Sequence, residues 1–246
     1  MGIAGGPDII QDGLQILLDA ADRNSYSGSG TSWRDIASSI NFNSSYYTYP
    51  SFSEDQLGCF SFINNGTTVN NIYPASISLS TYNQTKYTRM AAFNASTFSA
   101  QWSPIIQNEI GNNSDMGLTL TNGGKIMYRQ YWNTGNGGTT FGDFGIVSTG
   151  ATLVTSRWYI ISMSVDLPAQ YVYFYINGVL DSTVSIGVPI GNAASNNIIV
   201  GGAAADSYSG ERMFKGKIAM VGHYNRLLTA GEVLQNYNAL KTRFGL

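Results

Sequence analysis

Cysteine, histidine and charge are scarce in this sequence, and each scarcity removes a class of chemistry. Of 246 residues one is cysteine and one is histidine. A single cysteine forbids an intrachain disulfide. Cys59 stands in Gly58-Cys59-Phe60-Ser61-Phe62, an alternating apolar run where a buried, inert thiol is expected. One Cys and one His do not make a zinc site. A Ser-His-Asp triad would have to use His223. That residue lies in Met220-Val221-Gly222-His223-Tyr224 with no Gly-x-Ser-x-Gly turn before it, so an outward or hydrogen-bonded structural role is expected.

Charged residues are 11% of the chain, against about 25% in a typical domain. Asn, Ser, Thr, Gly and Tyr must therefore cover much of the surface. Such a surface makes neutral hydrogen bonds and suffers little repulsion against a partner, which suits a lectin, an adhesin or an assembled shell. The 13 Lys and Arg are scattered and the formal net charge is −2. Nucleic-acid binding relies on clustered cations that release counterions, so no nucleic-acid partner is expected. The first residues carry neither a basic n-region nor a long apolar run. No signal peptide and no membrane insertion are expected.

Glycoside hydrolysis needs two carboxyls held about 5 to 9 Å apart. The chain has only four Glu, at 54, 109, 211 and 232. Glu54 and Asp55 are adjacent and would face opposite ways in a strand. Gly135-Asn136-Gly137-Gly138-Thr139 and Gly201-Gly202 lack the following helix or Lys-Ser/Thr of a phosphate loop. The reading is a protein without catalytic residues, metal or cofactor.

What is present is strand after strand. Residues 1–13 read as a flexible Gly-rich arm, and residues 14–246 as one domain. Apolar positions 14, 16 and 18 open the first strand, and a polar loop over 24–32 ends at Trp33, an anchoring aromatic. Short alternating runs then recur at Gly117–Thr121, Lys125–Arg129, Trp158–Val165, Tyr171–Ile176, Asn197–Val200 and Lys217–Val221. Tyr171, Tyr173 and Tyr175 share one face, with Val172, Phe174 and Ile176 on the other. Asn177-Gly178 follows as a hairpin turn, since both residues accept positive φ, and Val179 to Val184 return. The one helix is C-terminal. Thr229-Ala230-Gly231-Glu232 is a capping box, with Val233, Leu234, Tyr237 and Leu240 on one face and Lys241 and Arg243 near the negative end of the dipole. Many strands and tight turns argue for an all-β, two-sheet antiparallel jelly-roll sandwich with one C-terminal α-helix.

The ends of the chain resemble a known family. Leu17-Leu18-Asp19-Ala20-Ala21, then Ser25-Tyr26-Ser27-Gly28-Ser29-Gly30-Thr31-Ser32-Trp33-Arg34-Asp35, is similar to the opening of concanavalin A-like/laminin G-like domains. Tyr175-Ile176-Asn177-Gly178-Val179 resembles the family's late hairpin. Phe214-Lys215-Gly216-Lys217-Ile218-Ala219, Tyr224-Asn225-Arg226-Leu227-Leu228-Thr229 and Glu232 to Ala239 resemble its closing strand and helix. The stand-alone form, with a Gly-rich arm and an Arg-Phe-Gly-Leu ending, is similar to virion proteins of tailed bacteriophages. The resemblance departs after Phe60-Ser61-Phe62, where Ile63-Asn64-Asn65-Gly66-Thr67-Thr68 replaces a segment with two acidic residues. Calcium needs six to eight oxygens, usually with several carboxylates, so no strong calcium site is expected there.

The resemblance implies a non-enzymatic virion structural protein, a capsid-decorating or appendage subunit. It would be assembled in the host cytoplasm, with other virion proteins and further copies of itself as partners. The alternative is a carbohydrate-binding adhesin on a tail fibre that recognises host surface glycans. Aromatics flanked by polar residues are the candidate sugar contacts: Tyr46, Tyr47 and Tyr49 in one cluster, Tyr131 and Trp132 in another. The competing reading packs them in the core or against protein.

Overall fold

Alternation along each run turns one side of a strand toward a second layer, and two main sheets result. The computed structural model describes residues 8–43, 48–63, 73–74, 85–98, 102–109, 116–133, 141–187, 197–202 and 213–246. The larger sheet runs, in spatial order, β14 (Val179–Ser185), β13 (Tyr171–Ile176), β12 (Trp158–Asp166), β7 (Lys86–Thr97), β16 (Lys215–Tyr224), β5 (Cys59–Phe62) and β4 (Ser51–Ser53). Strand β1 (Leu14–Asp19) also pairs with β16. The second sheet runs β11 (Phe141–Val147), β10 (Ile126–Asn133), β9 (Met116–Thr121), β8 (Trp102–Glu109) and β15 (Asn197–Val200). A small third sheet holds β2 (Ser32–Arg34), β3 (Asn41–Asn43) and β6 (Tyr73–Pro74). Every pairing among the described strands is antiparallel.

The main core lies between the sheets. Ile16, Leu18, Phe93 and Phe174 from the larger sheet meet Leu118, Leu120 and Ile126 from the second, with Trp33 and Phe42 closing one end. Phe60 is the hub of an aromatic cluster, 4.7 Å from Trp33 and 4.8 Å from Tyr26 between ring centroids. The opening motif does structural work there. Ser25 Oγ donates to the Arg34 carbonyl at 2.6 Å and accepts from Asp19 N at 3.1 Å. The fully buried Asp35 carboxylate accepts from Leu17 N and Ala37 N at 2.7 and 2.9 Å.

A second core lies on the outer side of the larger sheet, where helix α1 (Ala230–Phe244) packs over Met90, Ile160, Tyr175 and Met220. The Thr229/Glu232 capping box forms as the sequence implied, and Gly245 closes the other end in a left-handed turn. The buried face is Val233, Asn236, Leu240 and Phe244, so the stripe is rotated from the expected one and Leu234 is 43% exposed. Asn236 causes the rotation. Its Oδ1 accepts from Ile10 N at 2.7 Å and its Nδ2 donates to Tyr224 Oη at 3.1 Å, which makes a polar side chain worth burying.

The same bonds revise the expected arm from residue 8 onward. Tyr224 Oη donates to the Ile10 carbonyl at 3.0 Å, Gln235 Nε2 to the Asp8 carbonyl at 2.9 Å, and Arg226 Nε to the Asp12 carbonyl at 3.1 Å. Residues 8–13 are thus tied to the helix and β16 rather than loose. The expected hairpin is present, with Asn177 and Gly178 at φ 49° and 79°.

Candidate functional site

The outer face of the five-stranded sheet carries polar side chains that are buried without being paired. Leu118, Leu120 and Tyr128 point into the main core, so strand alternation turns Gly117, Thr119 and Arg129 the other way. Register sets Gln107 on β8, Gly117 on β9, Arg129 on β10 and Gly145 on β11 side by side. A Cβ built on Gly117 would lie 2.9 Å from Gln107 Cβ and 3.1 Å from Thr119 Oγ1. Those three residues therefore share one patch.

Arg129 crosses this patch. It leaves from β10, and its Cζ sits 4.0 Å from the centre of the Trp102 ring on β8. Strand β9 lies between the two. The side chain therefore crosses β9, whose Gly117 is opposite Arg129 in the register. A guanidinium over an indole is a cation–π contact that strengthens as water is excluded, and Arg129 is only 4% exposed.

Gln107 and Thr119 are 1% and 0% exposed, and Gln107 Oε1 and Nε2 and Thr119 Oγ1 have no hydrogen-bond partner. An unpaired buried polar group costs about 1–3 kcal/mol, and the great majority are paired. Three such atoms in one patch form a cluster of donors and acceptors that a polar ligand would satisfy.

The aromatics singled out from the sequence fall differently. Tyr49 is half-buried against the main core. Its ring is edge-on to Phe60 at 5.5 Å, its hydroxyl is enclosed, and burial pushes that hydroxyl's pKa up. This is the packing role that competes with sugar stacking for such residues. Tyr46 and Tyr47 lie outside the described residues. Tyr131 and Trp132 continue β10 just beyond Arg129, their backbones paired with Asp143 and Gly142. Trp102, Gln107 and Arg129 were not legible as a site. Thr119 carried a signal, since it stands between two leucines in Gly117-Leu118-Thr119-Leu120.

Reactive groups elsewhere are committed to structure. Both Glu232 oxygens receive Arg226 nitrogens, at 3.0 and 2.6 Å, and Thr229 N donates at 2.8 Å. Arg226 above all holds this carboxyl down at about 2. Asp55 begins a short 3-10 turn over Asp55–Leu57, rather than a strand, and pairs with Lys217. Burial raises the Cys59 thiol. His223 is fully buried, and its Nδ1 accepts from Arg89 Nε at 3.4 Å. Among the described residues no group of three or more His, Cys, Asp or Glu is placed to hold a metal.

Comparison with known proteins agrees with this architecture. The laminin G-like family model, described as the concanavalin A-like lectin/glucanases superfamily, matches residues 64–234. No curated protein sequence matches the chain. Among solved structures it is similar to the binding domain of Paraclostridial Mosquitocidal Protein 1, with a TM-score of 0.65 at 14% identity, over 92% of this chain and 52% of that one. It is also similar to a structure from work on botulinum neurotoxin type C, whose cell entry depends on interaction with two ganglioside molecules. There the TM-score is 0.65 at 10% identity, over 93% and 51% of the two chains. Trypanosoma rangeli sialidase in complex with the inhibitor DANA gives 0.62 at 12% identity, over 96% and 36%. The chain thus spans between a third and about half of the length of these structures, and at such identities the likeness is one of fold.

Proposed function

The chain belongs to the concanavalin A-like lectin/glucanase superfamily, and from that premise we propose that it is a non-catalytic module that binds carbohydrate through the outer face of its five-stranded sheet. One observation carries the reading: buried, unpaired amide and hydroxyl groups on Gln107 and Thr119 share the outer face of this sheet with the Trp102 ring. Sugar recognition uses that combination, an aromatic face for the C–H side of a ring and fixed polar groups for its hydroxyls. Among the described carboxyl groups, Asp35 is bonded to backbone and Glu232 to arginine, which favours binding over hydrolysis. The botulinum neurotoxin type C neighbour interacts with ganglioside molecules and the Trypanosoma rangeli neighbour is a sialidase, and they favour a glycan ligand by analogy of fold alone.

The setting we propose is a bacteriophage virion, with the protein on the capsid or an appendage and contacting other virion proteins and further copies of itself. The 11% charged composition favours this, because a neutral polar surface packs against partners with little repulsion. Tyr46, Tyr47, Tyr131 and Trp132 belong to the proposal as additional glycan contacts, the last two beside Arg129 on β10. A glycan array tests the binding. Wild-type protein should label bacterial or host polysaccharides, and Trp102→Ala should weaken that labelling roughly tenfold or more. Clean arrays, or turnover of a polysaccharide abolished by one carboxylate change, would contradict the reading.

A further inference from the structure

Of the Asn-Gly pairs in the chain, Asn122-Gly123 and Asn177-Gly178 lie among the described residues, and the fold treats them differently. In such a pair the next backbone nitrogen approaches the asparagine side-chain amide easily, because glycine has no Cβ in the way. Asn177-Gly178, in the β13–β14 turn, is held against that approach. Asn177 donates its backbone N–H to the Ile160 carbonyl at 2.8 Å, and its Oδ1 accepts from Ile160 N at 3.0 Å. Turning the amide toward Gly178 would take the acceptor from Ile160 N, at a residue 2% exposed, and a buried donor that loses its partner is costly. Gly178 is itself buried, and a methyl built on it would lie 2.8 Å from Tyr237 Cβ.

Asn122-Gly123, in the turn between β9 and β10, is placed otherwise. Both residues are exposed, and a Cβ built on Gly123 would meet Thr121 Oγ1 at 3.8 Å, an ordinary van der Waals distance. The bonds that close this turn join Thr121 to the far side: Gly124 N donates to the Thr121 carbonyl at 3.0 Å, and Lys125 N to Thr121 Oγ1 at 3.0 Å. The Asn122–Gly123 peptide lies between those anchors, so it turns without opening the hairpin. Asn122 makes an interaction of its own, but at an exposed position water replaces it at little cost. We infer that Asn122 is a site of spontaneous deamidation in the folded protein and that Asn177 is not. Gly123 N attacks Asn122 Cγ, forming a C–N bond while Cγ–Nδ2 breaks, and Nδ2 leaves as ammonia with the glycine amide proton. Solvent water then opens the cyclic imide. Cleavage at Cγ gives aspartate, and cleavage at the backbone carbonyl gives isoaspartate, whose chain runs through the side-chain carbon. Either product makes the net charge one unit more negative than the −2 of the unmodified chain. Thr121 is opposite Trp102 in the register, so the new carboxylate arises at the Trp102 end of the candidate face.

The test compares the folded chain with the same chain in guanidinium chloride, both held at mildly alkaline pH until the unfolded sample has reacted. Digestion and peptide mass spectrometry then follow conversion at each asparagine. Unfolded, Asn122 and Asn177 should convert at similar rates. Folded, Asn177 should slow roughly tenfold or more, the scale of one buried hydrogen bond that must break first. Asn122 should stay within a few-fold of its unfolded rate, and an isoaspartate-specific methyltransferase should label it in the folded chain. Gly123→Ala should slow conversion at Asn122 several-fold while leaving the unfolding midpoint nearly unchanged, since the added methyl has room. Protection of folded Asn122 as deep as that of Asn177, or conversion of folded Asn177 as fast as Asn122, would overturn the assignment.

Discussion

Arg89 is a charged residue in the interior. It is 1% exposed, between the sheets, where a bare guanidinium would be prohibitive. Neutral groups are among its partners: Nη2 donates to Asn108 Oδ1, Nη1 to the Ile106 carbonyl, and Nε to His223 Nδ1, while the Tyr87 ring lies 5.2 Å from Cζ. The arrangement requires His223 to remain neutral. Burial first, and Arg89 second, hold its pKa well below 6.5. The unfolded chain protonates this histidine near pH 6.5 and the folded one does not, so stability is full above that pH and declines as pH falls below it. Urea unfolding should give a midpoint that drops between pH 7 and pH 5, and His223→Gln should flatten that slope. Glu232 acts lower. Its stabilisation is present above about 4.5 and is lost toward its folded value of about 2, so the two groups are separable by pH. An unchanged slope in His223→Gln would remove the histidine from the account.

Helix α1 and the β13–β14 hairpin show how far local sequence determines an element. The Thr229 cap was readable from Thr-x-x-Glu and exists, with Glu232 N donating to Thr229 Oγ1 at 3.3 Å. Thr229→Ala should cost about 1 kcal/mol in chemical denaturation, and Thr229→Ser very little. Gly178 is fixed twice: by φ of 79°, and by Tyr237, whose Cβ would lie 2.8 Å from an added methyl. Gly178→Ala should therefore cost more than the roughly 1 kcal/mol usual for a left-handed position. Less legible were the elements whose pattern is set by distant neighbours. Strand β7 is buried along most of its length on both faces, under the second sheet on one side and the helix on the other, so Tyr87 to Ala95 shows no alternation to read. Strand β8 contains Pro104 beside a bulge between Pro104 and Ile106, and proline argues against a strand until the bulge is seen. The candidate site sits on that strand, which is why Trp102 and Gln107 did not stand out. The helix stripe was displaced by Asn236, a polar residue buried for bonds made to residues 226 and 12 positions away.

For the molecule as a whole, tight turns and period-two runs dictated two antiparallel sheets and one helix, because those features depend on near neighbours. The candidate face depends on which strands lie side by side, and register is not written in any one strand. Sparse charge follows a similar logic at the surface, where neutral polar groups suit close packing in an assembly. Mass spectrometry of purified particles should find this polypeptide if the proposed virion setting is right, and its absence would end that part of the proposal. The most direct test of the central claim is an NMR titration of the whole chain with a neutral oligosaccharide that it binds. Amide shifts should cluster on β8, β9 and β10, at Gln107, Gly117, Thr119 and Arg129. Shifts confined to the helix side of the larger sheet, around Tyr171 and Tyr173, would contradict it.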